Sequence, residues 1–173
     1  MYYGEEIGMR DGCISKKDMQ DPLGKKYYPF HPGRDRARTP MQWDGSAYAG
    51  FSSAKPWLPV NSDYLIRNAA AQEADPDSLL AWYKKLIALR HNETALKDGN
   101  IEFHDTGNKD VLFYTRHNSE RKIGILLNFS GQVAAIKLTA AGEVLLSSCR
   151  KARETIGEDC ILFPLESTLF VCK

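Results

Sequence analysis

The stretch that decides the interpretation of this chain is Gly33-Arg34-Asp35-Arg36-Ala37-Arg38-Thr39-Pro40-Met41-Gln42-Trp43-Asp44. It lies within residues 10–63, where hydrophobic residues recur with neither the period of a helix nor the alternation of a strand. Turn-forming sequences surround it, namely Asp21-Pro22-Leu23-Gly24, His31-Pro32-Gly33 and Asp44-Gly45-Ser46. The stretch is therefore predicted to belong to a long loop.

This long loop is unusual because loops of that length are uncommon inside a compact domain, where they are mostly functional or disordered. Disordered segments contain few aromatic residues. This one contains many, from Tyr27 and Tyr28 through Phe30, Trp43, Tyr48 and Phe51 to Trp57. We therefore expect an ordered loop that lies against a larger body.

The segments on either side of the loop carry periodic patterns. Residues 1–9 are typical of the end of a buried strand that turns at Gly4 or Gly8, and residues 67–74 favour a short helical turn. Asp75 before Pro76 predicts the start of a helix that runs to about Leu96. Its apolar stripe is expected to pack in a core and consists of Leu79, Tyr83, Leu86 and Ile87.

The pattern changes to short strands after Asp98-Gly99. Seven segments rich in Val, Ile, Leu, Phe and Tyr are separated by turn residues, which predicts a small antiparallel sandwich with a domain boundary near Lys97–Asn100. The predicted strands lie near residues 101–105, 111–117, 123–129, 133–138, 143–148, 160–163 and 168–172.

Composition excludes several classes of function. A formal net charge of +1 and a basic run at 34–38 that an acid interrupts argue against a nucleic-acid partner. No apolar run is long enough for a membrane helix, and the N-terminus lacks the features of a signal peptide. The expectation is a cytoplasmic protein with neither a nucleic-acid nor a membrane partner.

The four cysteines form no CxxC pair and have no histidine close by, so no metal site and no cofactor is predicted. The main interpretation is that they are small buried hydrophobic residues. A disulfide is the alternative, either Cys149–Cys160 or Cys160–Cys172.

Three stretches carry a resemblance to a known family: residues 2–9 (YYGEEIGM), residues 33–44 with Ala49-Gly50-Phe51-Ser52, and residues 56–61 (PWLPVN). They resemble the eighth barrel strand and the following loop of α-amylase-superfamily (glycoside hydrolase family 13) α-glucosidases and oligo-1,6-glucosidases. Residues 33–44 are called the signature loop below. The twelve-residue match in that loop is specific to these enzymes, whereas the strand-rich half alone would be a weak match.

The resemblance implies a fold class that is α/β plus all-β. Residues 1–97 would be the remnant of a catalytic (β/α)8 barrel, with its terminal strand, its long βα loop and its last helix. Residues 98–173 would be the antiparallel β-sandwich C-terminal domain. Active sites of such barrels are built from the loops at the C-terminal ends of the strands, so the long loop would form part of a sugar pocket.

Retaining glycoside hydrolysis needs two carboxyl groups about 5–5.5 Å apart. The resemblance implies that the catalytic Asp, Glu and Asp lie on earlier strands, so no catalytic residue is predicted in this chain. Glu5 and Glu6 are adjacent, and adjacent residues on a strand point to opposite faces, so they cannot converge on one bond. They are expected to hydrogen-bond the loop backbone.

Arg34 is the best candidate for substrate binding, because a guanidinium suits a carboxylate and vicinal sugar hydroxyls. The resemblance implies that it pairs with an upstream Asp and reads the non-reducing glucose of an α-glucoside oligosaccharide. A purely structural ion pair is the alternative. Arg38 and Asp35 are further candidates, although an internal salt bridge that fixes the loop is the favoured explanation for both. Trp43 and Tyr28 are expected to pack under the loop rather than to stack on sugar.

Three functions stay open at this point. The first is the C-terminal portion of an exo-acting retaining α-glucosidase, which would be inactive without its N-terminal barrel. The second is a carbohydrate-binding or structural sandwich module. No exposed aromatic row is evident for it, because Phe103, Phe113 and Tyr114 fit core packing equally well. The third is a non-catalytic relative that serves a transporter, which would need a membrane anchor.

Overall fold

The computed structural model describes residues 1–31 and 33–173. They fold as two compact units, Met1–Lys84 and Lys85–Lys173, and the boundary between them falls inside a helix. The turn predicted at His31-Pro32-Gly33 contains Pro32, which lies outside the described residues.

The first unit is built from short helices and 3₁₀ turns. Its α-helices are α1 (Pro22–Tyr27) and α2 (Ala69–Glu73), together with the start of α3 (Leu79–Asn92). The 3₁₀ turns are Glu5–Ile7, Asp35–Arg38, Ala47–Gly50 and Ser62–Leu65.

The strand predicted at residues 1–9 is wrong, since residues 1–31 and 33–84 contain no strand. Gly4 (φ 88°) and Gly8 (φ 63°) adopt the left-handed conformation on either side of the 3₁₀ turn Glu5–Ile7. An isolated strand would leave its backbone N–H and C=O groups without partners, whereas the turn satisfies them locally. A turn was predicted at Gly4 or Gly8, and both glycines flank one.

Hydrogen bonds from buried polar side chains order the long loop. A small apolar cluster contains Ile14, Met19 and Leu58. The buried amide of Gln42 donates from Nε2 to Asp63 Oδ1 (3.1 Å) and to the carbonyl of Arg67. Much of the interior is therefore polar, and the large aromatic side chains of the loop face outward.

Helix α3 begins three residues later than predicted. Asp75 instead stabilises a preceding turn, where its Oδ1 accepts from the backbone N–H of Asp77 (2.9 Å). The helix cap is Ser78, whose Oγ accepts from the N–H of Ala81 (3.1 Å). The turn predicted at 67–74 is confirmed as α2, which Asn68 caps.

The predicted core role of the α3 stripe is wrong for its outer members. No residue of α3 is fully buried, and Leu79 and Ile87 are 41% and 56% exposed. Within the second unit, Leu86 and Leu89 pack against a cluster on the sheet. The helix ends at Asn92, and a short α4 (Thr94–Asp98) follows.

The second unit combines helical segments with antiparallel sheets. One sheet has six strands in the order β1-β2-β3-β8-β5-β6, and the other pairs β4 with β7. All seven predicted strands are found, and the two-residue β6 was not predicted. Their bounds are β1 (Asn100–His104), β2 (Val111–His117), β3 (Lys122–Asn128), β4 (Ala134–Lys137), β5 (Gly142–Ser147), β6 (Thr155–Ile156), β7 (Asp159–Leu162) and β8 (Ser167–Cys172).

Apolar clusters cover both faces of the six-stranded sheet, because alternate residues of β3 point to opposite sides. On one face, Leu126 belongs to a cluster that also contains Ile136 of β4 and Leu162 of β7, so the two sheets share a core. On the other face, Ile123 and Ile125 pack with residues of α4.

Phe170 lies at the centre of the shared core and is fully buried. A Cβ atom added at Gly124 would lie 2.3 Å from its Cζ, and one added at Gly142 would lie 2.2 Å from its Cδ2. Both glycines leave room for the ring.

The cysteines are all free. Cys160 is buried in the shared core, as predicted, and burial raises the pKa of its thiol. Cys13 and Cys149 are exposed, so their interpretation as buried hydrophobic residues is wrong. Phe103, for which the sequence fitted core packing and surface exposure equally well, is 65% exposed on the edge strand β1.

Candidate functional site

The signature loop is attached at its start to the N-terminus of α1. Asp21 caps that helix through Leu23, and it also accepts from the backbone N–H of Arg34 (2.7 Å). The Arg34 side chain adds two longer bonds, Nε to Oδ2 and Nη2 to Oδ1, both 3.4 Å. These hydrogen bonds, foremost that of the Arg34 side chain, lower the pKa of Asp21.

Asp35 is buried and serves the main chain. Its Oδ2 accepts from the N–H groups of Gln20 (2.6 Å) and Asp21 (2.8 Å). No ion pair between Asp35 and Arg38 occurs in the part of the chain that the structure describes. The two residues therefore have separate roles, and the internal salt bridge considered for them is absent there.

Arg38 faces an open cleft of about 410 Å³ in the first unit, called the aromatic cleft below. The cleft combines large aromatic faces with one guanidinium and one carboxylate. It is lined by Tyr3, Glu6, Arg38, Thr39, Pro40, Met41, Trp43, Phe51 and Trp57. Trp43 is 52% exposed, so the prediction that it packs under the loop is wrong, and Tyr28 is exposed as well.

The turn Glu5–Ile7 directs the side chains of its two adjacent glutamates to different clefts. Glu5 Oε2 accepts from the N–H of Tyr2 (2.9 Å) and lines a second, smaller cleft of about 200 Å³. Glu6 lines the aromatic cleft, and its buried Oε2 accepts no hydrogen bond from the described residues. The two carboxylates therefore face different clefts and do not converge.

Tyr3 connects this turn to the signature loop. Its hydroxyl donates to the carbonyl of Thr39 (2.8 Å), and the N–H of Gly12 donates to the carbonyl of Arg36 (2.8 Å). Partial burial raises the pKa of Tyr3, and the neighbouring Tyr2 raises it further. The hydroxyl therefore stays a donor at neutral pH.

The aromatic cleft has the features of a carbohydrate surface, since aromatic faces and a guanidinium suit a sugar ring and its hydroxyls. It lacks the pair of carboxyl groups that glycoside hydrolysis requires, because Glu6 is the one acid among its described lining residues. No group of three His, Cys, Asp or Glu in residues 1–31 and 33–173 is placed to hold a metal ion. Within the same residues, no helix is both long and apolar enough to cross a membrane.

Sequence reasoning named Arg34, Arg38 and Asp35 as candidates, which stay predictions, and it did not name Asp21 or Tyr3 as site residues. Asp21 and Arg34 are thirteen residues apart, and no periodic pattern links them. The available signal was Asp21-Pro22, since Asp before Pro is typical of a helix cap and identifies a carboxylate that binds backbone N–H groups.

Comparison with known proteins identifies the family. Residues 1–99 match the family described as alpha amylase, catalytic domain. The chain belongs to the alpha-amylase family. The resemblance predicted from residues 2–9 and from the signature loop is thereby confirmed.

Among its relatives, a probable alpha-glucosidase of Rhizobium meliloti is 39% identical over 138 residues, which are 80% of this chain and 25% of that protein. An oligo-1,6-glucosidase of Heyndrickxia coagulans is 40% identical over 126 residues, or 73% of this chain and 22% of that protein. The trehalulose synthase MutB of Pseudomonas mesoacidophila matches in structure with a TM-score of 0.85 and 32% identity. That match covers 98% of this chain and 34% of MutB.

The chain thus spans about a quarter to a third of the length of these relatives. The family match ends at residue 99, and the second compact unit begins at Lys85. The assignment of residues 1–97 and 98–173 to separate domains stays a prediction.

Proposed function

We propose that this chain is the C-terminal portion of an exo-acting retaining α-glucosidase that releases α-linked glucose from oligosaccharides. The observation that carries the proposal is the family match over residues 1–99, together with relatives that are α-glucosidases and oligo-1,6-glucosidases. In this proposal the first unit is the end of the catalytic barrel. The antiparallel sheets of the second unit are the C-terminal β-sandwich.

The catalytic carboxylates would lie in a portion of the enzyme outside these 173 residues. Glu6 has no acidic partner in the aromatic cleft, and one carboxylate cannot serve as both nucleophile and acid/base in the first step of a retaining mechanism. The outward aromatic side chains of the loop and the exposed residues of α3 would then be covered by the rest of the barrel.

Arg34 would bind the non-reducing glucose. It is exposed, and its Nη1 and the outer N–H of Nη2 are directed away from Asp21 and can donate to sugar hydroxyls. Arg38 would contribute from the aromatic cleft, while Asp35 would shape the loop. MutB mutants have been solved with sucrose and with isomaltulose. We take α-glucosides of this kind as the substrate class.

Two experiments test the proposal. The purified chain, assayed with a chromogenic α-glucoside, should show no turnover, and measurable turnover would disprove its dependence on the rest of the enzyme. In the full-length protein, Arg34→Ala should reduce kcat/KM on the order of 100-fold, because a lost charged contact to substrate is worth about 2–3 kcal/mol. Unchanged kinetics would remove Arg34 from the site. A cytoplasmic location stays a prediction.

A carbohydrate-binding module is the second candidate. Phe103 favours it, because this ring is exposed on β1 and lies 5.7 Å from that of Tyr114. If the second unit bound oligosaccharides through this pair, Phe103→Ala would abolish the retardation of the chain in gels that contain an α-glucan. If the gel retards neither the parent chain nor Phe103→Ala, the second unit does not bind the glucan through this pair, and the proposal of an enzyme portion is kept.

A further inference from the structure

Asp21 is a buried carboxylate for which the proposed function gives no role. Its side chain is 1% exposed, while that of Arg34 is 62% exposed. The two residues thus differ in environment, although they form one ion pair. The arginine can reach a ligand that the aspartate cannot contact.

Three of the four side-chain hydrogen bonds of Asp21 attach the signature loop to the start of α1, and the fourth caps α1 itself. Oδ2 accepts from the backbone N–H and Nε of Arg34, and Oδ1 accepts from the N–H of Leu23 and from Nη2 of Arg34. The guanidinium therefore presents its Nε–Nη2 edge to Asp21. This two-point arrangement fixes the plane of the guanidinium and leaves Nη1 directed outward.

Gly33 shows that the approach of the two segments is close. Its φ is +69°, and a Cβ atom there would lie 2.9 Å from Asp21 Oδ2 and 2.9 Å from the Cα of Gly24. A larger residue would separate the loop from α1. The backbone position of Arg34 is thus determined by the same contact that orients its side chain.

We propose that Asp21 is a positioning residue, which orients the Arg34 guanidinium so that its free N–H groups meet the terminal glucose. This inference rests on the proposed function of Arg34. Asp21 itself does not touch the substrate. Its effect on catalysis should therefore pass entirely through Arg34.

The first test does not depend on activity and uses the full-length protein, because residues 10–74 of the isolated chain are expected to lack the support of the rest of the barrel. The Nε–H resonance of Arg34 in ¹H–¹⁵N spectra should be shifted from that of free arginine, and Asp21→Asn should move it toward the free value. Asp18→Asn is the matched control, because Asp18 lies on the same segment and accepts from Ser15 Oγ (2.6 Å). An Arg34 resonance that Asp21→Asn leaves unmoved would overturn the inference.

The second test is a double-mutant cycle on kcat/KM in the full-length protein. Asp21→Asn should reduce kcat/KM about 10-fold or more, since small misplacements of binding groups have effects of this size. It should cause no further loss when Arg34 is already alanine. Equal losses in both backgrounds would assign Asp21 a structural role only and would contradict the inference.

The two proposals fail in distinguishable ways. If Arg34→Ala keeps normal kinetics, the substrate role of Arg34 is wrong and the positioning of Arg34 has no catalytic consequence. If Arg34→Ala loses activity while Asp21→Asn does not, the substrate role stands and the positioning role is wrong. Urea unfolding of each variant separates both outcomes from a loss of folding.

Discussion

Replacement of Glu166 by alanine should destabilise the second unit more than any surface change. Glu166 is fully buried, and its carboxylate accepts from Arg150 Nε (2.6 Å), Thr168 Oγ1 (2.7 Å) and the backbone N–H of Phe163 (2.8 Å). Its removal leaves the Arg150 guanidinium, whose side chain is 13% exposed, without its buried partner.

Breaking a buried ion pair from one side costs about 3–5 kcal/mol, because the remaining charge stays desolvated. For a domain of this size each kcal/mol lowers Tm by roughly 4–8 °C. Glu166→Ala should therefore lower Tm by at least about 12 °C.

The matched control is Glu154→Ala. Glu154 pairs with the same Arg150 at 3.4 Å, but its side chain is 44% exposed. Exposed pairs contribute about 0–1 kcal/mol, so the Tm of this variant should lie close to that of the parent chain. Far-UV circular dichroism during thermal and urea unfolding measures both variants. Equal, small shifts for the two would refute the account of Glu166 as a buried anchor for Arg150.

Three further predictions concern the whole chain. Residues 98–173 should form a core that resists limited proteolysis while 10–74 are cut first, as mass spectrometry of the fragments would show, and uniform resistance would count against the proposal that part of the barrel lies outside this chain. Cys149 should react rapidly with a thiol reagent under native conditions and Cys160 slowly, because burial raises the pKa of its thiol, and equal rates would contradict its burial. Hydrogen bonds from Arg34 lower the pKa of Asp21, so this group stabilises the fold above the unfolded pKa of about 3.9 and ceases to do so as the pH falls through its lower folded value. The urea midpoint should accordingly fall more between about pH 5 and pH 3 in the parent than in Asp21→Asn, and parallel curves would refute this linkage.

Strands were predictable from sequence where a short apolar run rich in β-branched and aromatic residues is bounded by turn residues. In β2, Val111 and Phe113 are buried and Leu112 and Tyr114 are half-buried, which matches the pattern of a strand covered on both faces. The two-residue β6 contains too few residues to show any period, so no sequence signal could reveal it.

Helix boundaries and packing were less predictable, because competing local signals are resolved by geometry. Both Asp75 and Ser78 are residue types that favour a helix N-cap. In the structure Asp75 stabilises the preceding turn, whereas Ser78 caps the helix. Under the proposed function the rest of the barrel would cover Ile87, which is exposed here, and the periodicity of the sequence does not report whether a helix face has a partner. The hydrogen bonds between Asp21 and Arg34 were not predictable for a related reason, because the two residues are close in space but belong to different segments.

The fit of Phe170 between two glycines has a consequence for how the second unit can change in evolution. Gly124 and Gly142 lie on different strands, and Gly124 can gain a side chain only if the ring of Phe170 becomes smaller. At Gly142 an added Cβ would also lie 2.5 Å from the backbone carbonyl oxygen of Val171, so a smaller ring would not be enough there. Substitutions at Gly124 and Phe170 should therefore be inherited together. An alanine at Gly124 that is deleterious alone should be tolerated when leucine replaces the phenylalanine.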